Sequence, residues 1–246
     1  MQTDIDLSRL TRSERAELLA LLEERESRRR GRVIDTFFPA SGPHRRDLYP
    51  KHMEFFAVGR DYPERCFMAA NRVGKTIAGA YEMTLHLTGE YPDWWQGRKF
   101  EAPTACWAAG RTNETTRDII QQRLLGAVKW HGAKKGFAGD GLIPAARILQ
   151  DSVTWKAGVP NLCDTVQIRH ASGGVSELGL KSYEQGRGSF EGTERHVIWF
   201  DEEPPLDVYA EALIRTATTG GIVMLTFTPL DGVTPTVIEF VPEFKS

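Results

Sequence analysis

The sequence predicts an α/β fold, with a mostly parallel central sheet flanked by helices and a small helical segment at its N-terminal side. Three stretches carry that prediction. Residues 65–68, Arg65-Cys66-Phe67-Met68, form a short, largely apolar, bounded run of the kind a buried strand needs. After an eight-residue polar loop, apolar groups recur at 77, 80, 81, 84 (a Thr methyl), 85 and 87, as one helical face requires. Far downstream, Val197-Ile198-Trp199-Phe200 is a second apolar strand, ending in Asp201-Glu202-Glu203-Pro204-Pro205.

The loop between the first strand and helix is Ala69-Ala70-Asn71-Arg72-Val73-Gly74-Lys75-Thr76. Strand, loop and helix in that order are the context in which this string reads as a phosphate-binding loop. Gly74 lets consecutive N–H groups turn inward as an anion-binding nest, and the helix N-terminus behind it adds partial positive charge. Lys75 is placed to reach the β- and γ-phosphates of a nucleotide, and the Thr76 hydroxyl to ligate Mg²⁺. Ala69 stands where the first Gly of such loops usually does. It fits only if that position needs no positive φ.

Composition bounds the remaining possibilities. The 246 residues are 41% apolar and 26% charged, which is ordinary globular usage. No apolar run approaches membrane-spanning length, so no membrane association is expected, and no signal peptide is expected either. Cys66, Cys106 and Cys163 are odd in number and lack metal-ligand spacing, so they read as buried, reduced thiols. A net charge of -2 gives no global sign of a nucleic-acid partner. The local basic clusters (Arg28, Arg29, Arg30 and Arg32; Arg45, Arg46 and Lys51; Lys129, Lys134 and Lys135) read first as solvated faces.

In chain order, residues 1–34 form a helical segment and 35–246 a single domain. Thr11 with Glu14 makes a capping-box pattern before Leu18, Leu19, Leu21 and Leu22, which predicts a helix over about 12–30. Residues 36–61 are rich in Pro and aromatics. Tyr49 offers a flat face for an adenine and Pro50 fixes the local backbone, but the residue types fit core packing equally well. Trp94 and Trp95 are expected to hold their loop onto the core. A strand is predicted over 105–109, and a helix from the polar stretch at 111–117 to about 128. Residues 130–160 read as mostly loop, with short structure near 142–149. Residues 165–169 and 175–180 alternate around Ser172-Gly173-Gly174, a hairpin pattern.

The acidic strand end decides what the loop is for. Asp201 closes a strand of four apolar residues, the Walker B arrangement, at the sheet's carboxyl edge where ligands of open α/β sheets bind. It is placed to hold Mg²⁺. Glu202 either faces the opposite way or leaves the sheet toward the γ-phosphate, where a carboxylate can orient and deprotonate a water. Glu203 reads as a solvated residue. A helix is predicted over 206–217 and a further strand over 222–229, ending in two hydroxyls and a proline. Its Thr226 and Thr228 either sense phosphate or reflect the β-propensity of threonine.

Several ordered blocks together resemble the large terminase subunit of tailed bacteriophages: Leu48-Tyr49-Pro50-Lys51, the loop at 69–76, Gly89-Glu90-Tyr91-Pro92-Asp93-Trp94-Trp95, Glu184-Gln185-Gly186-Arg187 and Trp199-Phe200-Asp201-Glu202-Glu203-Pro204. The resemblance implies a P-loop NTPase of the additional-strand, catalytic-glutamate type. It implies an ATPase motor that translocates double-stranded viral DNA into a preformed capsid in the host cell cytoplasm. ATP and Mg²⁺ follow as substrate and cofactor. The implied partners are duplex DNA bound without sequence readout, the capsid portal, the small terminase subunit and further copies of the chain in a ring. By the same resemblance Lys75 and Thr76 are the Walker A contacts, Asp201 the Mg²⁺ acid and Glu202 the catalytic glutamate. Tyr49 and Pro50 form the adenine block, and Thr226 to Thr228 couple hydrolysis to motion. Arg72 matches an arginine acting in cis and Arg187 a finger offered to a neighbouring subunit, although the residues leave Arg72, Arg111, Arg187 and Arg215 all open. The family also carries an RNase H-like nuclease. Downstream of Thr228 stand only Asp231, Glu239 and Glu243, so the chain reads as the ATPase domain of a longer protein, without nuclease activity. A helicase-like, nucleic-acid-stimulated ATPase shares the same motifs but needs a second RecA-like lobe. A nucleotide-binding scaffold would not need Glu202.

Overall fold

The computed structural model describes residues 33–241 together with Thr11, Arg15, Leu18 and Glu243. Apart from Arg15 and Leu18, both helical, the helix expected over 12–30 and its basic cluster lie outside the described residues.

Strand β1 (Glu64–Met68) runs into the 69–76 loop and helix α2 (Lys75–Thr88), preceded by helix α1 (Pro50–Val58). Strand β2 (Ala105–Gly110) leads into helix α3, which runs as Asn113–Thr115, a π-helical stretch Thr116–Gln121, and Gln122–Leu125. A two-stranded hairpin, β3 (Val128–His131) and β4 (Lys134–Phe137), precedes β5 (Thr165–Arg169) and β6 (Val175–Ser182). Then come β7 (Val197–Asp201), α4 (Leu206–Ala217), β8 (Ile222–Phe227) and α5 (Pro235–Phe240).

The main sheet has the order β1-β8-β7-β2-β6-β5, parallel throughout except for the β5–β6 hairpin. Strand β8 therefore lies between the strand that feeds the loop and the strand that ends in Asp201. This is the additional strand of the expected fold class. The period-2 alternation of β7 divides the core: Val197 and Trp199 join the α2 side, while Ile198 and Phe200 join the α4 side with Val208, Tyr209 and Ala212. Helices thus cover both faces, and β7 is buried at all five positions.

Three local expectations are corrected. Strand β1 is an edge strand among the described residues, so Cys66, Phe67 and Met68 are only half-buried; the fully buried member is Arg65. Helix α2 has no solvent face over Ala78–Thr88, because Glu82, Thr84, His86 and Thr88 are buried along with the apolar positions. Thr84 and Thr88 satisfy their hydroxyls on the carbonyls four residues back, both at 2.8 Å. Helix α3 ends at Leu125 because Gly126 takes φ +81°, and the Asp140 carboxylate accepts from Ala127 N at 2.8 Å. The stretch expected to be mostly loop accordingly contains β3, β4 and two single 3₁₀ turns, Ala145–Arg147 and Gln150–Ser152.

The remaining elements follow the pattern of the chain. Helix α4 spans the expected residues, and β5 and β6 pair around the expected turn. Trp94 stacks on Tyr81 at 6.1 Å and Trp95 is buried, which holds their loop on the core. All three cysteines are free; Cys106 and Cys163 are buried and Cys66 half-buried. No helix among the described residues is long and apolar enough to cross a membrane.

Candidate nucleotide site

Parallel strands end at one edge, so the sheet order brings the 69–76 loop, the end of β8 and the end of β7 together. The loop turns on two left-handed residues, Arg72 at φ +64° and Gly74 at φ +87°, and Gly74 caps α2. Ala69 has no positive φ, which explains why a Cβ is accepted where a glycine is usual. Gly74 is further confined by His52: a Cβ there would sit 3.0 Å from His52 Nε2. Burial pushes the His52 imidazole pKa down, against a hydrogen bond to the Gly74 backbone.

Lys75 Nζ donates to the Ala70 carbonyl at 2.7 Å and to Thr228 Oγ1 at 2.9 Å. The Thr228 hydroxyl in turn lies 2.9 Å from the Ala69 carbonyl and 2.8 Å from Asn71 Oδ1. The residue just beyond β8 is thus knitted to both the loop and its lysine. Burial lowers the Lys75 pKa, while Glu202 and Asp201 pull it back up.

Thr76 Oγ1 donates to Asp201, 2.9 Å from Oδ1 and 3.1 Å from Oδ2. Thr226 Oγ1 donates to Asp201 Oδ1 at 2.8 Å and accepts from Trp199 Nε1 at 2.7 Å. Burial pushes the Asp201 carboxyl up to about 7 despite the bonds from Thr226 and Thr76. A buried carboxylate beside a hydroxyl, with nothing but oxygen donors, suits a hard divalent cation such as Mg²⁺.

Strand β7 ends at Asp201, and Glu202 leaves the sheet in a left-handed turn at φ +74°. The chain therefore turns out of the strand direction at Glu202, which borders the cavity that Lys75 and Thr76 line. A left-handed non-glycine residue costs on the order of 1–3 kcal/mol and persists where its surroundings fix it. Here the buried Tyr183 hydroxyl lies 3.0 Å from the Asp201 carbonyl and 2.8 Å from that of Glu202, and Glu202 N donates to the Thr226 carbonyl at 3.1 Å. Glu203 is half-buried rather than solvated, and accepts from Thr234 at the start of α5.

Two adjoining cavities share Arg72, Gly74 and Ile77. One, of about 540 Å³, is lined by Asn71, Lys75, Thr76, Arg123, Glu202 and Thr226. The other, of about 780 Å³, is lined by Phe37, Phe38, Tyr49, His52 and Val73. The first has the charge and hydroxyl lining for phosphates; the second has the aromatic and apolar lining for a base. Tyr49 lies on the second, whereas Pro50 does not and instead opens α1 at its first position. The aromatic block therefore both packs, through Phe55 and Phe56, and lines the cavity.

The candidate arginines separate. Arg72 borders both cavities. Arg111 lines a third cavity, of about 560 Å³, which Glu202 also borders. Arg187 and Arg215 both end on Glu211 of α4, with Nη2–O distances of 3.0 Å, and line neither of the two adjoining cavities. The sequence pattern did not single out His52, Trp199 or Arg123. Each acquires its place through neighbours distant in the chain.

The family model for the N-terminal part of the terminase large subunit, T4likevirus-type, matches residues 66–246. Over 259 residues the chain is 39% identical to the large terminase subunit of Salmonella phage P22, covering 98% of this chain and 48% of that protein. It is 24% identical to the large terminase subunit of Enterobacteria phage LP7, covering 98% of this chain and 50% of that one. The chain thus spans about half the length of the curated relatives it matches. The crystal structure of the HK97 bacteriophage large terminase aligns at a TM-score of 0.50 with 16% identity, over 82% of this chain and 37% of that one, which is a likeness of fold.

Proposed function

The chain belongs to the terminase large-subunit family, and we propose that it is the ATPase motor domain that hydrolyses ATP to drive double-stranded viral DNA into a preformed capsid. The observation that carries the reading is the Thr76–Asp201 hydrogen bond, which joins the phosphate loop to the acidic end of β7, one residue before Glu202.

In this reading the base lies against Tyr49 in the aromatic cavity, and the phosphates lie in the nest around Gly74. Lys75 binds the β- and γ-phosphate oxygens. Asp201 and Thr76 would hold Mg²⁺, which supplies neutralisation of the phosphate charge. Glu202 orients a water and takes its proton as the water oxygen bonds to the γ-phosphorus; the bond to the β–γ bridging oxygen breaks and its electrons leave with ADP. Arg72 stabilises the developing charge from within the subunit, and Arg187 is offered to a neighbouring copy in a ring. Thr226 and Thr228 touch Asp201, Asn71 and Lys75 at once, a position suited to passing a change in the site into β8. Duplex DNA would be gripped by its phosphates, each subunit supplying a few basic groups, so binding should fall steeply with salt. The capsid portal, the small terminase subunit and the host cytoplasm complete the proposed setting.

Phosphate release by the wild type, Lys75→Ala and Glu202→Ala tests the assignment. Both variants should lose hydrolysis, by a factor of about 10² or more for Glu202→Ala. Equal rates above background in the wild type and Glu202→Ala would sink the catalytic role. Duplex translocation without strand separation distinguishes the motor from a helicase.

A further inference from the structure

The π-helical stretch of α3 is anchored on one side and open on the other. Thr116 Oγ1 donates to the Lys181 carbonyl at 2.9 Å. Gln121 donates to the Asn161 carbonyl at 2.9 Å and accepts from Cys163 N at 2.7 Å. Ile120 and Leu124 are buried on that side. The open side presents Ile119, 40% exposed, and Arg123 four residues on, and both line the cavity that holds Lys75, Thr76 and Glu202. π-Helical insertions cost helix stability and recur at functional sites.

Arg123, like Arg72 and Arg111 near the same site, is not among the arginines of the domain that are committed to a carboxylate. Arg65, Arg117, Arg147, Arg187, Arg195 and Arg215 each end on a carboxylate. Arg123 has an exposed side chain and no carboxylate partner among the described residues. A guanidinium left uncommitted on an anchored helix, beside a phosphate loop, has a planar fork of donors free for phosphate oxygens.

We propose that Arg123 contacts the terminal phosphate of bound ATP in cis, so that α3 distinguishes triphosphate from diphosphate. The inference rests on the nucleotide reading above. It adds to the site a cation from outside the loop and from the same chain, carried on an element that nucleotide exchange would push or release.

Equilibrium binding of Mg²⁺-loaded β,γ-imido ATP and of Mg²⁺-loaded ADP should be measured for the wild type, Arg123→Ala, Arg123→Lys and Lys75→Ala. Arg123→Ala should weaken the triphosphate analogue about tenfold or more and leave ADP within about twofold, with Arg123→Lys between. Unchanged affinities in Arg123→Ala, or equal losses for both ligands, overturn the role of Arg123. If the wild type binds neither nucleotide, or Lys75→Ala binds as tightly as the wild type, the nucleotide reading itself fails and the inference falls with it. Because Arg123 makes no ion pair among the described residues, its variants should melt with the wild type; if Arg123→Ala does not fold, Arg123→Lys carries the comparison.

Discussion

Trp199 Nε1 donates to Thr226 Oγ1 at 2.7 Å, and the same hydroxyl donates to Asp201 Oδ1 at 2.8 Å. One buried threonine thus satisfies an indole N–H and directs a proton at the carboxylate proposed to hold the metal. Replacing it with valine keeps the shape and removes both bonds. A buried donor left unsatisfied costs about 1–3 kcal/mol. Thr226→Val should therefore lower the urea midpoint by that order and depress ATP hydrolysis, while Thr226→Ser retains both. Equal stability and turnover in the valine variant would contradict the relay.

The indole reaches Thr226 because α2 carries glycine at position 79. A Cβ there would overlap Trp199 Nε1, and Trp199 is fully buried. In an exposed helix interior Gly→Ala stabilises by up to about 1 kcal/mol. Here the overlap reverses the sign, and overpacking of a tight core costs about 1–3 kcal/mol. Gly79→Ala should lower the melting temperature, and the double variant with Trp199→Phe should recover part of the loss.

A second buried polar cluster lies under the loop strand. Arg65 of β1 donates to Glu82 of α2 and, through Nε, to the Phe55 carbonyl at 3.1 Å; His86 lies 3.2 Å from Glu82, and Tyr91 OH is 3.0 Å from His86 Nδ1. Burial alone would raise the Glu82 pKa, but Arg65 and His86 outweigh it and hold the carboxyl below its ordinary 4.5. Burial lowers His86 below 6.5 despite the pull of Glu82. In both cases the unfolded chain takes up the proton at a higher pH than the folded one. These two groups therefore withdraw stability on acidification, His86 as pH falls below about 6.5 and Glu82 below about 4.5, whereas Asp201, pushed up to about 7, acts in the opposite sense over the upper part of that range. Urea denaturation of the wild type and His86→Gln between about pH 7 and pH 5 isolates the share of His86 from those of His52, His170 and His196: the wild type should lose more stability than the variant as pH falls below about 6.5.

These clusters mark what the sequence could and could not show. The loop, Walker B strand and hairpin were legible because their signals are local: apolar runs, a glycine before Lys75, acids directly after Phe200. That Ala69 replaces a glycine was visible, but only the left-handed turns at Arg72 and Gly74 explain why it is tolerated. Glu82 and His86 fall on what a helical wheel reads as a polar face, and they are buried because Arg65 sits opposite them, 17 positions before Glu82. Arg123 carries no local mark at all. Its place follows from the π-helical register of α3 and the sheet order, neither of which a periodicity of apolar residues specifies.

Arg187 poses the remaining question of geometry. Its guanidinium is held by Glu211, through Nε at 3.1 Å and Nη2 at 3.0 Å, and Glu211 simultaneously binds Arg215. The side chain is 53% exposed and lines neither of the two adjoining cavities, so within one subunit it is turned outward. A finger acting in trans requires that disposition. Lys75→Ala subunits lack a working loop but carry Arg187; Arg187→Ala subunits have the loop and lack the finger. Each alone should be nearly inactive, and mixing them should restore hydrolysis at interfaces that pair an intact loop with an intact arginine. On the proposed trans arrangement the complete site forms only between copies, so activity should also rise more than linearly with protein concentration. Full activity of Arg187→Ala alone, or no recovery on mixing, would assign the arginine role to residues on the loop's own subunit, Arg72 and Arg123.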